Sequence, residues 1–162
     1  MSKRMRSILC GLTLSVVVNG GTPGAELTTA DGVRVIFDPE RIAFIEMEPS
    51  LAGLPGQMPW RTGPPKPAVY GIMSTGPLWI SQTIADFLEQ LKLSEKFAQL
   101  TLSGGDSIWV KAEAVSYVRS KSALDHVAPE VHAFISIGGK ERAIREDVES
   151  ARKAIDDHRG KL

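Results

Sequence analysis

Cysteine is nearly missing from this chain: one of its 162 residues, Cys10, carries a thiol. A single thiol closes no internal disulfide and cannot build a cysteine-ligated metal site. An excess of one charge is missing too, because 19 lysines and arginines balance 19 aspartates and glutamates. That balance is no footprint for a polyanion, so nucleic acid is not an expected partner. The stretch Ile8–Val18 is the first apolar one, and it falls short of the ~20 residues that span a bilayer. Catalytic signatures are also missing. The chain has no Gly-x-Ser-x-Gly elbow, no phosphate loop, no dinucleotide fingerprint and no His-Glu-x-x-His pattern. His126, His132 and His158 do not share a metal-ligand spacing. No cofactor and no metal are therefore expected.

What is present is an ordinary globular composition, 43% apolar and 23% charged, in a length that suits one domain or two very small ones. The first 25 residues hold three basic residues, Lys3, Arg4 and Arg6, and no acidic one. The remainder holds 16 positive and 19 negative residues, a net charge of −3. A basic start, an apolar centre and the small residues of Asn19–Ala25 have the layout of a secretory signal. Residues 1–25 are thus expected to be a signal peptide cut after Gly24 or Ala25. The mature chain is then periplasmic or secreted, with no stable membrane insertion. The competing reading is a cytoplasmic chain in which Leu12, Leu14, Val16 and Val18 alternate along a retained strand.

The chain also compares with itself. Leu27–Glu46 aligns without a gap on Leu100–Arg119, with Leu27, Thr28, Gly32 and Glu40 identical to Leu100, Thr101, Gly105 and Glu113. Apolar positions match as well: Val35, Phe37, Ile42, Phe44 and Ile45 fall on Ile108, Val110, Val115, Tyr117 and Val118. Beyond a loop of unequal length, Val69–Gly76 aligns on Val131–Gly138, which sets Tyr70 on His132 and gives that histidine a packing or surface role. Ile80, Ile84 and Leu91 then fall on Ile144, Val148 and Ile155. Each copy predicts a hairpin at Asp31-Gly32 or Gly104-Gly105, further strands, and an amphipathic helix. A module of about 60 residues has a marginal core by itself. The expected fold is therefore α+β: two tandem copies of a small antiparallel β-meander or barrel-like module, each ending in a helix, packed as a pseudo-twofold unit. The organisation is a signal over 1–25, a first module over 26–93 and a second over 94–162. The expected core contains Phe37, Ile42, Phe44, Ile72, Ile84 and Leu88, with Val110, Val115, Tyr117, Ile135, Val148 and Ile155 as counterparts.

Short motifs in both copies give a resemblance. Leu27-Thr28, Gly32, Pro39-Glu40-Arg41-Ile42, Gly138-Gly139-Lys140 and Arg145-Glu146-Asp147-Val148-Glu149 together resemble the small flagellar-operon family called FlbD. The resemblance covers most of residues 27–92 and 100–156. It implies no enzyme chemistry and no catalytic residues. Members of that family usually carry one copy and no export signal, where this chain has two copies and a signal-like start.

Two features are candidates for function. Glu40 and Glu113 occupy one aligned position, and two carboxylates meeting in a cleft could serve as general acid and base. Glutamate at a helix or turn start is the structural alternative. The second candidate is the loop that only the first copy carries. Between Pro49 and Pro67 six prolines favour extended backbone over helix and sheet. Met58, Trp60, Arg61, Pro64 and Pro65 are its candidate partner-binding residues, since large apolar groups in loops often meet other proteins. Trp60 folding back onto its own sheet is the competing role. The leading expectation is a non-catalytic interaction or assembly module, bound to a protein partner or to itself. The alternatives are a small hydrolase or ligand-binding enzyme using Glu40 and Glu113, and a cytoplasmic flagellar-accessory-like protein.

Overall fold

The computed structural model describes residues 15–17, 24–30, 32–48, 66–73 and 76–160. The fold is α+β, with two helices and three antiparallel sheets among the described residues. Strand β1 (Ser15–Val17) pairs with β2 (Gly24–Thr28), which pairs with β3 (Arg34–Phe37). The β2–β3 hairpin turns at Gly32, whose φ of 86° suits a residue without Cβ. A 3-10 turn over Pro39–Arg41 follows, started by the Asp38 carboxylate accepting from the Glu40 amide and by a proline at its first position. Then come β4 (Phe44–Glu48), β5 (Lys66–Tyr70), β6 (Leu78–Trp79) and helix α1 (Ile84–Gln90).

The second half runs through the same order. It has β7 (Phe97–Thr101), β8 (Ser107–Lys111), a 3-10 turn over Ala112–Ala114, β9 (Val115–Ser120), β10 (Ala133–Ile137), β11 (Lys140–Ile144) and helix α2 (Val148–Asp156). Local bonding matches at aligned positions. Thr29 N donates to Val33 O and Leu102 N to Asp106 O, both at 2.8 Å. Ala30 N donates to Trp79 O at 3.0 Å, and Ser103 N to Ala143 O at 3.1 Å. Thr83 and Asp147 cap the two helices, accepting from the amides of Asp86 and Ser150.

The largest sheet has the order β6-β5-β4-β8-β7, so strands of both halves share it. Its join is β4 against β8, with Phe44 opposite Val110, Ile45 opposite Trp109 and Glu46 opposite Ile108. Side chains of a strand alternate between faces, and here the alternation sorts them into two cores. Ile45, Val69 and Phe97 pack with Leu27, Phe37, Ile84, Phe87 and Leu88. Phe44, Tyr70, Ile108 and Val110 pack with Ile135, Ile137, Ile144, Ala151 and Ile155. The shared sheet is thus a wall covered on both sides. The hairpin and α1 of the first half cover one face, and β10, β11 and α2 cover the other.

Three expectations need correction. First, the later part of the self-alignment is out of register. Phe44 lies opposite Tyr70 and its aligned residue Tyr117 lies opposite Ser136, so Tyr70 corresponds to Ser136 rather than to His132. The slip is four residues, and an even slip keeps every side chain on its face, which is why the hydrophobic pattern concealed it. Second, Pro67 lies inside β5, where its carbonyl accepts from Ile80 N at 3.0 Å. Its missing N–H falls beside the end of the two-residue strand β6, where one ladder bond is lost. Third, Tyr117 is not core: it is 49% exposed. Phe44 is buried because β4 lies inside the two-sided wall, whereas β9 is the outer strand of the sheet β11-β10-β9. Val115 and Val148 are half-buried, and the other nine residues named for the core are buried.

Candidate functional site

The 3-10 turns that re-aim each hairpin set the two aligned glutamates. Glu40 is held on two sides: Lys96 Nζ donates to Oε1 at 2.8 Å and Lys111 Nζ to Oε2 at 2.6 Å. Lys111, whose side chain is only 9% exposed, also donates to the Glu40 carbonyl at 2.7 Å. The hydrogen bond from Lys111, and then that from Lys96, hold the Glu40 carboxyl below its ordinary range. Glu113 has a different environment: it is exposed, and its Oε1 lies 3.4 Å from the Gly160 amide. The turn therefore places one glutamate in a lysine clamp and the other by the end of α2.

Other charged groups tie elements together. Arg142 on β11 donates through Nε and Nη2 to both carboxylate oxygens of Glu46 on β4, at 2.9 and 2.8 Å. The same guanidinium lies 5.3 Å from the Phe44 ring centre. The hydrogen bonds it donates to Glu46 are the main reason the Arg142 guanidinium is held more firmly charged than usual. Arg119 on β9 lies over the Phe134 ring and bonds both Asp125 and Glu141. Tyr117 Oη donates to Glu141 at 2.9 Å. His132, exposed, precedes β10 and donates its amide to Ile144 O. Among the described residues no three of His, Cys, Asp and Glu converge as metal ligands. An open depression of about 460 Å³ is lined by Ser81, Gln82, Asp86, Glu89 and Gln90, and neither Glu40 nor Glu113 reaches it. Met58, Trp60, Arg61, Pro64 and Pro65 lie outside the described residues.

Strand edges are the feature that sequence reading missed. β4 has neighbours on both sides, β5 and β8. Its aligned strand β9 has one, β10, and β3, aligned with β8, also has one, β2, among the described residues. These two open edges carry exposed apolar side chains, Ile36 at 68% on β3 and Tyr117 at 49% on β9, with Val33 exposed just before β3. An uncovered edge offers a row of N–H and C=O groups as a pairing template. The clue lay in the self-alignment, which sets Ile36 on the half-buried Trp109 and Tyr117 on the buried Phe44. What it could not show is which strands meet.

Compared with protein-family models, curated proteins and solved structures, the chain has no match. Among the described residues no helix is long and apolar enough to cross a membrane.

Proposed function

We propose that this chain is a non-catalytic interaction and assembly module, built as a tandem duplication that resembles the FlbD family and exported to the periplasm or beyond. The observation that carries the reading is the pair of strand edges left open among the described residues, with Ile36 and Tyr117 exposed on them. The element order that runs twice and the matched hairpin and cap bonds support the duplication. The carboxylates support the non-catalytic part. Glu40 is neutralised by two lysines and kept ionised, which disfavours it as a proton donor near neutral pH. Export rests on the basic start and the small residues before Glu26. Light scattering of the purified chain, alone and with proteins captured from its host, tests assembly. A strict monomer that captures nothing overturns it.

One observation favours a second reading of the compartment. Ser15–Val17 pairs antiparallel with Gly24–Glu26, so a cut after Gly24 or Ala25 removes β1 and breaks into β2. A cytoplasmic, flagellar-accessory-like module retains that strand. Mass spectrometry of the N-terminus in the native host decides: a start at Ala25 or Glu26 supports export, and Met1 or Ser2 on soluble protein rejects it.

A further inference from the structure

The contact between the two halves is heterologous. It joins β4 of the first half to β8 of the second, while the aligned pair, β9 and β3, stays apart among the described residues. A twofold would make both contacts or neither. A head-to-tail contact instead leaves one acceptor edge and one donor edge vacant at opposite ends, and such contacts propagate when more copies are supplied. We infer that a second copy of this chain covers those edges: β3 of one molecule adds to β9 of the next, repeating between molecules the β8–β4 join within each. This rests on the assembly reading above and names the partner and the register.

The occupant follows from the intramolecular join, which is a worked example of what these strands pair with. Transferring its register by the self-alignment sets Phe37 opposite Tyr117, Ile36 opposite Val118 and Val35 opposite Arg119. The backbone agrees. Lys121 N donates to His132 O, and antiparallel bonding alternates along a strand. The peptide groups of Val118 therefore face away from β10, as those of Ile45 face β8. Trp109, aligned with Ile36, packs on the core of the first half, so Ile36 is the residue that would leave water on pairing. Arg34 does not oppose this, since it is already bonded to Glu26 on β2.

Sedimentation of the full chain is the first measurement. As concentration rises from about 10 µM to about 1 mM, where a small interface becomes populated, the mean mass should climb past two chains without stopping at a dimer. Ile36→Lys, at an exposed site, places the charge that natural edges use against pairing and should weaken association at least tenfold. Val118→Pro removes the outward N–H of β9 and should do the same; circular dichroism checks that it folds. Each variant keeps one intact edge. Mixing the two should give a heterodimer and nothing larger, which a symmetric interface cannot produce. In a Cys10→Ser background, Ile36→Cys with Val118→Cys should give a disulfide ladder on oxidation. A chain that stays monomeric at about 1 mM, or that stops at a symmetric dimer, overturns the proposal. If the monomer still captures a host protein, head-to-tail pairing has failed and the assembly reading stands; if it captures nothing, both have failed.

Discussion

Removing the Glu46 carboxylate should cost more than removing any other acidic group described. Its side chain is 10% exposed and bonds Arg142 through both oxygens. Glu46→Gln would leave Arg142, whose side chain is 25% exposed, with its guanidinium among Phe44, Tyr70 and a neutral amide. Breaking one side of a buried pair costs about 3–5 kcal/mol, chiefly because the surviving charge stays desolvated. Arg142 keeps some solvent, so the expected loss is at the low end, about 3 kcal/mol. That is a large share of the roughly 5–15 kcal/mol that holds a domain together. Glu46→Leu combined with Arg142→Met replaces the pair with apolar groups of similar size and should be nearly neutral. The assay is urea unfolding, in which the midpoint moves and the slope does not. A single substitution costing under about 0.5 kcal/mol, or a double variant no better than the sum of the singles, refutes the reasoning. The first result would mean that water already screens the pair. The second would mean that Glu46 and Arg142 act independently.

Aligned residues should respond differently. Phe44→Ala, which removes a buried ring stacked 4.3 Å from Tyr70, should cost about 3–5 kcal/mol. Tyr117→Ala, at the exposed edge, should cost under about 1 kcal/mol, and equal losses in urea unfolding would contradict the placement of β9. Ile135→Ala and Leu88→Ala, each buried in a different core, should cost about 2–5 kcal/mol, with losses under about half a kcal/mol meaning exposure. Acid should destabilise the chain only at low pH. Lys111 lowers the pKa of Glu40, Arg119 lowers those of Glu141 and Asp125, and the Ser150 amide lowers that of Asp147. Carboxyls depressed by folding bind protons more readily unfolded, so their contribution is complete above a pH of about 5 and fades as pH falls through and below about 4. A urea midpoint that drops between about pH 7 and pH 5 would show that other groups govern.

Local structure was legible because its causes are local. Gly32 and Gly105 need positive φ, so both hairpins follow from their positions. The caps Thr83 and Asp147 are equally local, each accepting from an amide three residues on, although the apolar pattern that named the helices did not name them. The apolar period of two named Phe37, Phe44, Val110 and Ile135 as core. Pattern alone could not fix the register of β10, because a slip of four residues leaves its hydrophobic faces unchanged.

The sequence by itself determined the order of elements within each half, the alternation of faces along each strand and the likeness of one half to the other, since each depends on residues a few positions apart. Only the tertiary structure decided the rest. It set Glu40 in a clamp with Lys96 and Lys111, from 56 and 71 residues away, and not with Glu113. It also buried Phe44 while exposing the aligned Tyr117, and left β3 and β9 with one neighbouring strand each among the described residues. The physical reason is that pairing uses backbone groups that every residue except proline carries in full, so the choice of β8 as the neighbour of β4 depends on how whole layers pack, and no short motif encodes it.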